Sequence, residues 1–204
     1  MVQVKQPSLI TLLDSSIAAG ILITIGAAVN LTIGGIAGAA LFCVGLASIL
    51  HFHFDLYTGK AGLVVWKEIS IPRLLLVLLG NFFGATMAGL ILSQCNPDLS
   101  VVATKLWETR LQVQPLIILA KSVFCGMLMY IAVTAYKANQ KIEFVILPVM
   151  VFILAGFYHS IADMAYAAIA NIKVRDAWPI LITIAGNFIG CNLMAICHWS
   201  RITE

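Results

Sequence analysis

The sequence predicts an all-α integral membrane protein in which six transmembrane helices form two inverted repeats of three, with the second and fifth helices broken. Three observations predict this fold. The 204 residues are 61% hydrophobic and only 10% charged, whereas a soluble domain is about half apolar and about a quarter charged. Polar clusters interrupt two apolar helices, at residues 55–60 and 156–160. The motif GNFxG follows each break, at residues 80–84 and 186–190.

The first half of the chain is predicted to cross the membrane three times. No charged residue occurs between Leu74 and Pro97, and this length suffices for a transmembrane helix, which needs about 20 apolar residues. A short half-helix is predicted over residues 61–69, after the first break. The predicted spans of this half are residues 13–31, 36–53 and 74–94.

The second half repeats this order. Residues 96–114 are predicted to form a polar loop, the longest in the chain. After the second break, a half-helix over residues 160–172 would rise roughly 18 Å, about half a bilayer. We interpret the whole chain, 1–204, as one transmembrane channel domain whose repeats cover about 12–95 and 114–199. The predicted spans of this half are residues 115–136, 143–155 and 178–198.

The two breaks indicate a solute path. Backbone that leaves helical geometry at membrane depth must be buried in protein or line a cavity, because hydrocarbon cannot satisfy its polar groups. Breaks at corresponding points of two repeats indicate a site near the bilayer midplane, and repeats with an odd number of spans must be inverted. A GNFxG motif taken alone also has a simpler reading, since small residues four apart are common in helix packing.

Loop charges favour cytoplasmic N- and C-termini in a multi-pass protein of the cell (inner) membrane, because cytoplasmic loops carry more Lys and Arg. With that orientation, the cytoplasmic basic residues are Lys5, Lys60, Lys67, Arg73, Lys137, Lys141 and Arg201, and the external ones are Lys105, Arg110, Lys173 and Arg175.

His159 is the sharpest candidate for the centre of the path. It lies at the second break, where a half-helix begins, and helix N-termini attract anions. We expect a mostly neutral ring that donates a hydrogen bond and can take a proton when an anion arrives. The alternative is a structural histidine tied to a carbonyl. Thr58, at the first break, is its natural partner, because the inverted repeat would bring its hydroxyl opposite the ring.

Charged and bulky residues near the breaks are further candidates. Lys121, inside the fourth span, could concentrate anions in a vestibule or could snorkel to the interface. Asp163 is expected to pair with Lys121 or Lys60, or to cap nearby backbone, and Asp55 is expected to satisfy N–H groups freed at the first break. Bulky side chains can exclude hydrated ions, although each could also be plain core. These constriction candidates are Phe42, Leu46, Leu56, Tyr57 and Phe152.

These features together resemble the formate/nitrite transporter family. Residues 148–164, PVMVFILAGFYHSIADM, resemble the family signature PVxxFxxxGFEHSIANM. Residues 56–58, LYT, are similar to its LFT loop, with Gly45 at a fitting distance before them. Residues 121–126, KSVFCG, are similar to a basic residue followed by CN, and the two GNFxG segments also fit. The resemblance covers nearly the whole chain.

The resemblance implies a homopentamer of aquaporin-like protomers, each with its own pore for small monovalent anions or their acids. It assigns His159 and Thr58 to the pore centre, and the five bulky residues named above to its constrictions. The chain departs from the family at three positions: Tyr158 replaces a glutamate, Asp163 an asparagine and Gly126 another asparagine. These departures affect groups that would orient polar contacts around the pore.

The predicted function is therefore a channel or proton-linked transporter for formate, nitrite, hydrosulfide, acetate or lactate in a lipid bilayer. The alternative is a pore for neutral solutes such as water or ammonia, with a structural histidine. A metal protein or enzyme using His51, His53 and His159 is disfavoured, because neither clustered carboxylates nor a ligand motif is present; no cofactor is expected. A non-conducting structural subunit stays open. The net charge of +3 gives no basic stripe for nucleic acid.

Overall fold

The computed structural model describes residues 7–202, with side chains for residues 7–198, and this part of the chain is helical with no strand. Lys5 and the side chain of Arg201, which contributed to the predicted orientation, lie outside the described residues. The helices of the first half are α1 (Leu9–Ile33), α2 (Gly35–His51), α3 (Tyr57–Lys60) and α4 (Ile71–Cys95), with a 3₁₀ turn at Ala61–Val64 after α3.

The second half contributes five helices and a 3₁₀ turn at Val174–Ala177. Four segments of the described chain are long and apolar enough to cross a membrane, namely Leu9–Ile33, Ile71–Cys95, Pro115–Asn139 and Val174–His198. The second-half helices are α5 (Pro97–Leu111), α6 (Pro115–Asn139), α7 (Glu143–Leu154), α8 (Ser160–Ile169) and α9 (Trp178–Ile202).

The predicted polar loop at residues 96–114 is wrong, because α5 occupies most of it. The sequence carried the signals of a helix start. The Asn96 side chain accepts a hydrogen bond from the Leu99 backbone N–H, Pro97 opens the helix, and Asp98 lies in its first turn. An Asn cap, a proline at the first position and an early acidic residue are all typical of helix N-termini. The predicted half-helix at residues 61–69 is also wrong, since within that stretch only the 3₁₀ turn at Ala61–Val64 is helical.

Close packing pairs α1 with α4 and α6 with α9 in the same way. A Cβ atom added to Gly84 would overlap the carbonyl oxygen of Ile17, and one added to Gly190 would overlap that of Val123. These glycines end the two GNFxG motifs. Small residues let helix backbones approach where apolar lipid offers no hydrophobic driving force, and the motif therefore has a packing role in both halves.

Replacing Gly190 with alanine is expected to destabilise the protein by about 1–3 kcal/mol or more, as overpacking does. The overlap is with backbone of α6, which cannot move aside as a side chain can. The thermal unfolding midpoint in detergent measures the effect. Ile189→Ala is the matched control, because that neighbouring side chain is 42% exposed and should matter less. Equal midpoints for Gly190→Ala and the wild type would contradict the packing argument.

Candidate functional site

The asparagine of the first GNFxG motif holds the first break in place. Asn81 is fully buried, and its Oδ1 accepts a hydrogen bond from the Tyr57 backbone N–H at 2.7 Å. Its Nδ2 donates to the carbonyl of Ser16 at 2.7 Å and to that of Asp55 at 2.9 Å. The amide therefore satisfies backbone groups that the break removes from helical hydrogen bonding, as a buried backbone requires.

The asparagine of the second motif does the same at the second break. Asn187 Oδ1 accepts from the Ser160 backbone N–H at 2.8 Å, and its Nδ2 donates to the carbonyls of Ser122 and Tyr158 at 2.8 and 2.9 Å. Each asparagine thus links one residue of a long helix to the two ends of a break. Asp55 does not take the expected role, because its carboxylate contacts Ser15 and Lys60.

His159 and Thr58 meet in the centre of the molecule. They are 2% and 1% exposed, and His159 Nε2 lies 3.0 Å from Thr58 Oγ1. His159 also caps α8, because its Nδ1 accepts a hydrogen bond from the Ala162 backbone N–H at 3.2 Å. In a neutral ring only one nitrogen carries a proton, so Nε2 is the donor to Thr58. The Thr58 hydroxyl keeps its own proton for a further acceptor.

Two aromatic rings adjoin this pair. The Phe152 ring stacks on His159 with centroids 5.6 Å apart, and Phe42 meets Phe152 edge to face at 5.7 Å. Both phenylalanines are buried. Tyr57 is also buried, and its hydroxyl donates to the carbonyl of Ile184 at 3.2 Å. The structure thus brings Phe42 and Phe152 to the polar pair and fixes Tyr57 on α9.

Two cavities approach the central pair. The first, which we name the α2 cavity, has a volume of about 130 Å³ and contains two of the constriction candidates. The second, the α5 cavity, has about the same volume, about 130 Å³, and reaches His159 itself. The α2 cavity is lined by Leu46, Leu50, Leu56, Lys60, Val133 and Lys137, among others. The α5 cavity is lined by Asn30, Arg110, Phe152, His159, Asp163 and Tyr166, among others.

The two cavities open toward opposite ends of the bundle. Only Gly34 separates α1 from α2, and the two helices pack against each other, so the end of α1 and the end of α2 lie at opposite faces. The α5 cavity includes Asn30, close to the end of α1. The α2 cavity includes His53, just past the end of α2. His159 and Thr58 therefore lie between two openings.

The expected partners of Asp163 are wrong. Its carboxylate binds the guanidinium of Arg110 and accepts a hydrogen bond from Thr183 Oγ1 at 3.1 Å. Lys60 instead pairs with Asp55 at 2.7 Å. Lys121 is half-buried, and its Nζ lies 5.4 Å from the centroid of the ring at position 158. Arg110 was expected in an external loop, and with α5 missed, no sequence signal placed it beside Asp163.

Apolar membrane-length helices and two broken helices that meet at a buried polar pair define the architecture of a membrane transport protein. A family profile described as "Formate/nitrite transporter" matches residues 2–201. The fold is similar to that of an "FNT family ion channel", with a TM-score of 0.85, 18% identity, and coverage of 94% of this chain and 90% of that chain. It is also similar to a "Pentameric formate channel with formate bound", with a TM-score of 0.81, 20% identity, and coverage of 96% and 98%. Comparison with curated protein sequences gives no match.

The profile covers nearly the whole chain, and the chain therefore belongs to the formate/nitrite transporter family. The resemblance drawn from residues 148–164 and 56–58 is confirmed. This is a family of membrane transport proteins rather than enzymes. The two solved structures, at their low identities, show the fold alone.

Proposed function

We propose that this protein is a channel or proton-linked transporter for small monovalent weak-acid anions, with formate, nitrite, hydrosulfide, acetate and lactate as the candidate substrates. The observation that carries the proposal is the hydrogen bond of 3.0 Å between His159 Nε2 and Thr58 Oγ1, buried between two cavities. Intramembrane ionisable residues are expensive, and their usual justification is function.

The geometry suggests how a charge could cross. Stripping water from an ion costs several kcal/mol even after relaxation, so a bare anion would not pass Phe42 and Phe152 without compensation. The Thr58 hydroxyl, polarised by the donor Nε2 of His159, can donate to the anion. Alternatively, the ring could first take up a proton from solution and then pass one to the anion, which would give a neutral acid and return the ring to its neutral form. Either event lowers the charge at the apolar part of the path.

The same proposal includes the architecture. Asn81 and Asn187 make equivalent hydrogen bonds at the two breaks, and this supports two inverted repeats built from six membrane-crossing helices. The solved formate channel of similar fold is pentameric, and many large apolar side chains are exposed on the single chain, including Ile36, Leu116 and Leu181. These side chains are suited to contact lipid and neighbouring protomers. The proposed assembly is therefore a homopentamer, which we place in the cell (inner) membrane with both termini cytoplasmic.

Flux into proteoliposomes tests the function. The five candidate anions are applied one at a time at two pH values, with protein-free liposomes as the control. We expect at least one anion to enter, faster at the lower pH if a proton travels with it. If water or ammonia passes and none of the anions does, the pore carries neutral solutes and the Nδ1 cap makes His159 structural. The mass of the detergent-purified assembly tests the pentamer.

A further inference from the structure

The α5 cavity is lined by a buried arginine, Arg110, whose predicted place was an external loop. Arg110 is 8% exposed, lines this cavity together with His159, and binds the carboxylate of Asp163 through Nη1. The other carboxylate oxygen of Asp163 accepts a hydrogen bond from the Thr183 hydroxyl. The ion pair is therefore anchored in the core, with its guanidinium at the wall of an opening that leads to the central histidine.

Two aromatic rings contact the guanidinium of Arg110. Its Cζ atom lies 4.0 Å from the centroid of the Tyr158 ring and 5.7 Å from that of Trp107. Arginine stacks on aromatic faces in this way, and such stacking leaves the N–H donors at the edge of the plane free. Lys121 approaches the same Tyr158 ring, with Nζ at 5.4 Å, and adds a second positive charge to this region.

Most donors of Arg110 have no protein partner. Among the described residues, Asp163 is the hydrogen-bond partner of the guanidinium, and a guanidinium carries a planar fork of N–H donors on all its nitrogens. Apart from the Ser160 hydroxyl, no deeply buried side-chain nitrogen or oxygen in this part of the chain lacks a partner. The unpaired nitrogens of Arg110 therefore face accessible space, which the α5 cavity provides.

We propose that Arg110 is an oxyanion-binding residue of the α5 cavity, where its guanidinium holds a small planar carboxylate or nitrite before the anion reaches His159. This inference rests on the proposed function and names the substrate class that the cavity favours. A guanidinium fork matches two oxygens on one centre, whereas hydrosulfide offers a single acceptor atom and gains only from charge. The cavity of about 130 Å³ has room for such an anion, since one water occupies about 30 Å³.

Asp163 makes this site weak, and a transport site needs to be weak. A conducting protein must bind its ion well enough to admit it and poorly enough to release it. The carboxylate neutralises the charge of Arg110 but occupies only part of its fork, so an incoming anion meets hydrogen-bond donors without a large net attraction. The sequence has its acidic residue at position 163, where the family signature has asparagine, and an aromatic ring at 158, where the signature has glutamate.

The test compares half-saturating concentrations for formate and hydrosulfide in proteoliposome uptake. Arg110→Lys keeps the positive charge but removes the fork, and is expected to raise the half-saturating formate concentration about tenfold, as loss of one charged hydrogen bond would. The hydrosulfide value should stay within about twofold. Asp163→Asn should lower the half-saturating concentrations, because Arg110 is then no longer neutralised.

The double variant Arg110→Gln with Asp163→Asn controls for misfolding of the single variants. It removes both charges and therefore leaves no unpaired buried ion. It should raise the formate value as Arg110→Lys does. The matched control is Arg175→Gln with Asp176→Asn, the same exchange in a pair whose side chains are 76% and 34% exposed, and it should behave as the wild type.

Two outcomes would overturn the inference. In one, the double variant elutes as the wild-type assembly and keeps the wild-type half-saturating formate concentration. In the other, Arg110→Lys shifts formate and hydrosulfide equally, so that Arg110 serves only structure or charge. If the wild type transports no anion, the proposed function fails, and the binding site is tested separately by thermal unfolding. Formate should still raise the thermal midpoint of the purified wild type and should not raise that of the double variant. Equal formate-induced shifts of the two midpoints would refute the site.

Discussion

Replacing His159 with phenylalanine is expected to reduce anion flux at least about a hundredfold. Phenylalanine can keep the stacking on Phe152, but it loses the Nε2 donor that contacts Thr58 and any proton that the ring could transfer. Desolvating an ion costs several kcal/mol. Each 1.4 kcal/mol or so of this cost that the protein no longer offsets slows transport about tenfold. Initial rates of formate uptake into proteoliposomes measure the change.

The same substitution also removes a helix cap, and a control must separate the two effects. Loss of the Nδ1 acceptor leaves the Ala162 backbone N–H without its partner, which costs about 0.5–2 kcal/mol. His159→Asn is the matched variant, because asparagine caps helices well but has no titrating ring. We expect it to recover thermal stability and to remain inactive. Anion flux of wild-type size in a folded His159→Phe protein would refute the proposed mechanism.

The contact between His159 and Thr58 was predictable from the sequence, because local pattern and repeat symmetry both point to it. An ionisable residue at a break in an apolar helix has few structural explanations, which is why the sequence points to His159 directly and to Thr58 only as the partner that the inverted repeat brings to it. The two GNFxG motifs, together with the breaks, indicate the repeat, although a single such motif is also typical of helix packing. The structure adds that their asparagines, Asn81 and Asn187, hold the breaks. The paired occurrence of Asn next to Gly in an apolar helix was the available signal.

The surroundings of the site could not be predicted in the same way. Asp163 lies one helical turn from His159, and this spacing is visible in the local sequence. Its partner Arg110 lies 53 residues away on α5, where a loop was predicted. An ion pair between helices that are distant in sequence depends on how those helices pack together, and the hydrophobic periodicity of the sequence does not show this. The start of α5 was detectable from Asn96, Pro97 and Asp98, and recognising it would have placed Arg110 on a helix without giving its partner.

Replacing Asn187 with leucine is expected to have the largest effect on folding. Leucine has a similar shape but leaves the Ser160 backbone N–H and the carbonyls of Ser122 and Tyr158 without their partner. Each unsatisfied buried group costs about 1–3 kcal/mol, so the total loss is about 3 kcal/mol or more. That is a large part of the roughly 5–15 kcal/mol that stabilises a typical domain. Size-exclusion profiles and thermal midpoints in detergent measure it.

The variant series can also test the equivalence of the two halves. Asn81→Leu removes the matching hydrogen bonds at the first break and should cost about as much as Asn187→Leu. Asn192→Leu is the control on the same helix, since Asn192 is only half-buried and one of its bonds is to its own helix. If Asn187→Leu unfolds at the wild-type midpoint, helix packing alone holds the breaks and the role given to the two amides is refuted.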